Sequence, residues 1–396
     1  MRPGIVAAGS LPTIPGVTNF SRANNAAFLT ALSAVKAGTN DVKIACMGDS
    51  ITAGKGATVS VNGWTGARAG AYPRLLRTAL ASASIPSIQA DFWGEGTSLG
   101  TTSDIDLYMG NIARSGSGFA ISGSVQSIAG LSHAQNGSQV DSTSTITYTC
   151  PAGMVADSVA VFTARNTSIG KYVVSLDGGA ESPEVDTAGT PGAFTTTFSY
   201  ASAATGHTVR IRKSSTTAIG VFVLGVYFYN SSEKGLQLWN WGRGGWRTDD
   251  WVNSTSAWFP GFHYHTQGAK LTIVELWGND AISRPSSTTT TITNLTTIID
   301  NLQAAGSTVW IVNPQPFDPA GSIGSTASSL YRSAVASLAD SKNCTLIDET
   351  HHYPTWSAWN GAGFAWDANH PSQTGYQHKV DSFYTPMLRA LWAAAP

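Results

Sequence analysis

The stretch IACMGDSITAGKGA, residues 44–57, carries an apolar run into Gly-Asp-Ser and then into glycines. A serine in that place stands where a strand hands over to the next segment. Backbone N–H groups lacking an intrahelical acceptor can stabilise negative charge there. Ser50 is therefore a candidate nucleophile. An ordinary turn is the competing reading, because glycine, aspartate and serine are turn residues.

Three later stretches add what a nucleophilic serine needs. NWGRGG (240–245) follows an apolar strand and offers backbone N–H groups unobstructed by side chains. ELWGND (275–280) ends another strand and places the neutral amide of Asn279 at the same edge. WDANHPSQTG (366–375) sets Asp367 three residues before His370. A serine hydroxyl requires a base, and the base requires an acceptor that fixes its tautomer. The Asp-x-x-His turn can supply both, with His370 as base and Asp367 as its orienter. The developing oxyanion would then rest on the Ser50 N–H, the Gly245 N–H and the Asn279 side chain.

Together these four segments resemble the SGNH (GDSL) hydrolase superfamily. GDSIT is similar to its first block, NxGxxG to its second, GxND to its third and DxxHPS to its fifth, in the family's order. The likeness covers residues 40–90 and 235–396. It implies a flavodoxin-like three-layer fold, ester hydrolysis without a cofactor, and the roles just given for Ser50, His370, Asp367, Gly245 and Asn279. Ile51 stands where the family often has leucine. Gly244 adjoins Gly245, and FWGEG (92–96) imitates the second block but lacks its asparagine.

The elements around these residues fit an α/β sheet. NNAAFLTALSAVKA (24–37) reads as an amphipathic helix, DVKIACMG as a buried strand and YPRLLRTALAS as a helix with Pro73 in its first turn. From about 96 to 232 short alternating runs replace helical periods, and turn clusters separate them. That is the pattern of an antiparallel β-sandwich. Strand and helix alternate again from GLQLWNWG, and GYQHKVDSFYTPMLRALWAA is expected to close the chain as one helix. The predicted architecture is an α/β catalytic domain (1–95 and 233–396, with an N-terminal arm and helix over 1–40) interrupted by a β-sandwich (96–232). A structural lid or oligomer contact and a carbohydrate-binding module all remain open for the insert.

Composition narrows the partners. Of 396 residues only 12% are charged, and 23 Lys and Arg nearly balance 24 Asp and Glu. No block of like charge suggests nucleic acid or an anionic membrane. No run has transmembrane length, and the first residues do not read as a signal peptide. An extracellular or particle-borne protein suits the profile. Three cysteines offer no CxxC pair and cannot all pair with one another; Cys46 and Cys344 lie in apolar runs and read as buried thiols. The histidines of HYH (263–265) and HH (351–352) lack a carboxylate at ligand spacing, so no metal is expected.

Thirteen tryptophans cluster beside the catalytic blocks. Core packing accounts for many. The remainder, with Trp246, Trp277 and Trp366 chosen as substrate-binding, would form aromatic walls for sugar rings. The reading that follows is a serine esterase acting on O-acyl, foremost O-acetyl, groups of a poly- or oligosaccharide. Its rivals are a non-catalytic glycan-binding protein on the same scaffold and an acyltransferase using the same triad.

Overall fold

The computed structural model describes residues 10–57, 67–89, 93–94, 112–115, 138–140, 145–150, 153–165, 167, 169–190, 192–217, 220–252, 264, 268–282, 285–321 and 323–396. Seven strands form the central sheet: β1 (Val17–Thr18), β2 (Val42–Gly48), β3 (Ser87–Gln89), β4 (Leu236–Gly242), β5 (Leu271–Glu275), β6 (Thr308–Asn313) and β7 (Thr345–Asp348). Their spatial order is β1-β7-β6-β5-β2-β4-β3, parallel except for β1. Omitting the edge strands β1 and β3 leaves a doubly wound order that starts from β2 and runs outward in both directions.

The strands are largely apolar because helices cover both faces. Every residue of β5 and β6 is buried. Right-handed crossovers running one way along the sheet, then the other, put their helices on opposite faces. Helix Tyr72–Ser82 packs on β3 and β4 and buries Tyr72, Leu76 and Leu80, one residue per helical turn. Thr288–Ala304 and Ser325–Ser341 pack on β6 from the other side. The first of these is capped by Ser287, which accepts from Thr290 N.

Two five-stranded antiparallel sheets form the insert. Here the burial pattern alternates, as in Thr208–Lys213, because one face looks inward and the other out. Ile146, Val161, Val174, Ile211 and Phe228 meet in the sandwich core. The opposite face of one sheet rests on the α/β unit. Tyr227 and Phe162 pack against Trp239 of β4 with ring centroids 5.2 and 6.3 Å away.

Three features differ from the sequence reading. β1 pairs antiparallel with β7 as an edge strand inside the expected arm; two residues are too few to show an alternating pattern. Trp93–Gly94 pairs with strand Val221–Tyr229, so part of FWGEG belongs to the sandwich sheet. The expected domain break at residues 95–96 lies outside the described residues. The closing helix is three pieces: Gln373–Lys379, a π-helical turn Val380–Tyr384 and Thr385–Ala394. Pro386, near the start of the last piece, has no N–H to give the preceding turn.

Candidate active site

The carboxyl ends of β4, β2 and β5 lie level, with Gly242 beside Gly48 and Gly48 beside Glu275. Directly after β2 the chain turns into the short helix Ser50–Ala53. Asp49 caps it by accepting from Ile51 N at 2.8 Å, and Gly54 closes it in the left-handed region at φ 101°. Two glycines make this tight turn fit. A Cβ on Gly48 would stand 2.0 Å from Thr52 Oγ1, and one on Gly242 would stand 2.0 Å from Ala53 N. Only bare backbone lets the helix settle this closely on the strand ends.

The His370 loop reaches the same place from the far end of the chain. Ser50 Oγ lies 2.8 Å from His370 Nε2. On the other side of the ring, Nδ1 lies 2.8 and 2.9 Å from the two oxygens of Asp367. Facing a carboxylate, Nδ1 must be the protonated nitrogen, which leaves Nε2 as the acceptor for the Ser50 hydroxyl. Asp367 also accepts from the backbone N–H groups of Asn369 and His370, both at 2.8 Å. The spacing of three residues is thus a turn folded around one carboxylate. The loop is anchored to the nucleophile's side, where Tyr376 OH donates to Lys55 O and Gly56 packs against Trp366 and Pro371.

Burial lowers the pKa of His370, against the opposing effect of Asp367, so the ring is neutral and ready to accept a proton. For Asp367 partial burial acts upward, but hydrogen bonds from His370 and the two amides, with the charge the ring takes on once protonated, outweigh it and hold the carboxyl at about 2. Lys55 Nζ lies 3.9 Å from Asp367 Oδ2.

The second and third blocks flank the serine. Arg243 N donates to Gly48 O at 3.1 Å, tying the turn over 243–246 to the end of β2. Asn240 shapes that turn by accepting from Gly242 N. Gly245 is exposed, with φ 75°. Asn279 Nδ2 donates to Trp246 O at 2.9 Å and lies 3.4 Å from Asp49 Oδ2. Its amide therefore stands between the residue that follows Gly245 and the residue that precedes Ser50. Asp49 is buried, which pushes its carboxyl up to about 7. Asp280 accepts from Thr248 N and Oγ1 and from Thr291 Oγ1, a loop-holding arrangement.

The three tryptophans separate. Trp366 is half-buried, its ring centroid 6.4 Å from that of His370. Trp246 is half-buried against Trp251. Trp277 corrects the sequence expectation: it is wholly buried, stacked on Tyr331 at 5.5 Å with Phe317 at its edge, and has no face left for a sugar. Trp258, His263 and His265 lie outside the described residues. His351 and His352 are exposed neighbours with rings 5.5 Å apart. Among the described residues no three His, Cys, Asp or Glu converge to hold a metal, and no helix is long and apolar enough to cross a membrane. All three cysteines are free and buried.

Beneath the serine's turn lies a group that sequence reasoning missed. Lys379 is wholly buried, bonded to Glu275 and 3.1 Å from Glu349. Tyr384 OH donates to Glu349 at 3.0 Å, and Thr52 Oγ1 lies 3.4 Å from Glu275. The only signal was a charge at the end of each apolar strand and one on the apolar side of the last helix.

Residues 227–378 match the GDSL-like lipase/acylhydrolase family. Over that span the chain is similar to GDSL-like hydrolases. The matched span contains NWGRGG, ELWGND and the His370 loop, whereas Ser50 lies outside it, beyond the insert. The fold is shared with a solved structure described as "Peptidoglycan O-acetylesterase in action, 5 min", at 15% identity and TM-score 0.67, over 96% of this chain and 99% of that one. A family two carbohydrate esterase from Cellvibrio japonicus is also similar, at 12% identity and TM-score 0.31, over 72% of this chain and 96% of its own. No curated protein sequence matches.

Proposed function

We propose that this GDSL-like domain is a serine esterase that removes O-acyl groups, foremost O-acetyl, from a poly- or oligosaccharide. The observation carrying the reading is the 2.8 Å contact between Ser50 Oγ and His370 Nε2, backed by Asp367 on the other side of the ring. His370 takes the hydroxyl proton as Ser50 Oγ bonds to the ester carbonyl carbon. The oxyanion is received by the Ser50 N–H, the Gly245 N–H and Asn279, whose hydrogen-bond partners adjoin both loops. When the tetrahedral intermediate collapses, the ester C–O bond breaks and His370 returns the proton to the departing sugar oxygen. Water then attacks the acyl-enzyme by the same sequence and frees the carboxylic acid and Ser50. No cofactor enters this scheme.

The carbohydrate part rests on Trp366 and Trp246, half-buried rings beside His370 and Gly245, and on the fold shared with a peptidoglycan O-acetylesterase. Carriage outside the cell or on a particle would suit such a substrate. The test is acetate release from acetylated xylan, O-acetylated peptidoglycan and 4-nitrophenyl esters of increasing chain length. Release from at least one glycan, with acetate preferred over longer acyl groups, is expected. Hydrolysis of long-chain esters alone would overturn the substrate class.

A further inference from the structure

A concavity of about 310 Å³ opens among the segments that follow β6 and β7, on the same edge of the sheet as Ser50. Pockets of this size lie at the small end of those that hold ligands. Pro316, Phe317, Pro319 and Trp356 line it with cyclic side chains, and Ser328 and Thr350 bring hydroxyl groups.

The lining is held in place before any ligand arrives. Arg332 donates to the carbonyls of Pro314 and Gln315 at 2.7 and 2.9 Å. Gln315 Nε2 donates to Asn369 O, and Asp318 N donates to Ala368 O, both at 2.9 Å. Trp356 opens the helix Trp356–Gly361, which Thr355 caps. Preformed sites forfeit less ordering entropy on binding.

The same contacts place the pocket next to the reacting serine. Segment 315–318 is bonded to residues 368 and 369, just before His370. On its other side Phe317 reaches Gly278: a Cβ there would be 3.3 Å from the phenyl ring and 3.5 Å from Asp49 Oδ2. One strip of chain thus separates the pocket from the site around Ser50.

Flat indole and proline faces accept the C–H face of a sugar ring, and side-chain hydroxyls exchange hydrogen bonds with sugar hydroxyls. The Arg332 guanidinium is directed at backbone carbonyls, which disfavours an anion. An acyl chain would need an apolar sleeve without the serine and threonine positions.

We propose that this pocket is a saccharide subsite, holding a sugar unit beside the one that presents its ester to Ser50. As a part of turnover it rests on the esterase reading, but binding can be measured without it. Ser50→Ala protein is titrated with the soluble tetrasaccharides of N-acetylglucosamine and of xylose, following backbone amide shifts by NMR. One or both should bind, with shifts around Thr350 and Trp356. Adding Trp356→Ala should weaken binding about tenfold, and Trp356→Phe should restore most of it. In active protein, Trp356→Ala should lower the ratio of kcat/KM for acetylated xylotetraose to that for 4-nitrophenyl acetate by a similar factor. The proposal is overturned if neither tetrasaccharide binds, if binding is indifferent to Trp356 although both variants fold, or if Trp356→Ala selectively impairs 4-nitrophenyl butyrate, which would mark an acyl pocket. Absence of all ester turnover in the unmutated protein would defeat the esterase reading alone and leave the titration to decide the subsite.

Discussion

Lys379 and Glu275 form a buried ion pair directly under the turn that carries Ser50. Glu349 completes the cluster at 3.1 Å from the ammonium. Removing the one cation leaves two buried carboxylates without compensation, and losses of about 3–5 kcal/mol follow such changes. Lys379→Met should lose stability on that scale in urea unfolding. A loss below 1 kcal/mol would mean that the cluster is not held as described.

The pH dependence of turnover follows from His370. Only the neutral ring accepts the serine proton, and burial lowers its pKa from the ordinary 6.5. Activity should therefore persist below that value and fall on an acid limb whose midpoint lies under 6.5. Asp367, at about 2, stays ionised throughout. Asp367→Asn should cut kcat by roughly 10³–10⁴ and move the limb lower still, because the carboxylate is what raises the ring's pKa.

Asp49 supplies a separate dependence, of stability rather than rate. Its folded pKa of about 7 lies above the ordinary 3.8. The folded state therefore prefers the protonated acid. That contribution is complete below 3.8 and is lost as pH rises towards 7. Asp49→Asn cannot ionise, so its stability relative to the unmutated protein should improve between pH 4 and 8. Chemical denaturation at several pH values reads the difference, and parallel curves would refute it.

Gly242 tests the strand-to-helix fit. The added methyl of Gly242→Ala meets Ala53 N at 2.0 Å, against backbone that cannot rotate away. A cost of about 1–3 kcal/mol is expected in thermal unfolding. Ester turnover should fall further, because the helix that moves carries Ser50. Full activity in this variant would contradict the geometry around the serine.

Much of this was legible from particular residues. Mostly apolar runs such as LTIV announced strands buried on both faces, and alternating TVRIRK announced the sandwich. Asp367 and His370 were readable because a three-residue spacing is a local turn. Trp277 misled because a tryptophan after a strand end says nothing of which way it points; φ 100° turns it inward onto Tyr331. The Lys379 cluster was invisible for another reason. Its members lie 30 to 104 residues apart in pairs, and a charged residue in a sequence does not disclose whether it is solvated or paired.

Covalent trapping of the nucleophile tests the central claim most directly. After exposure to a small fluorophosphonate, peptide mass spectrometry should find one adduct, on the peptide containing Ser50. It should be absent in Ser50→Ala and slowed strongly in His370→Ala. An adduct on another residue, or labelling as fast without His370 as with it, would contradict the account.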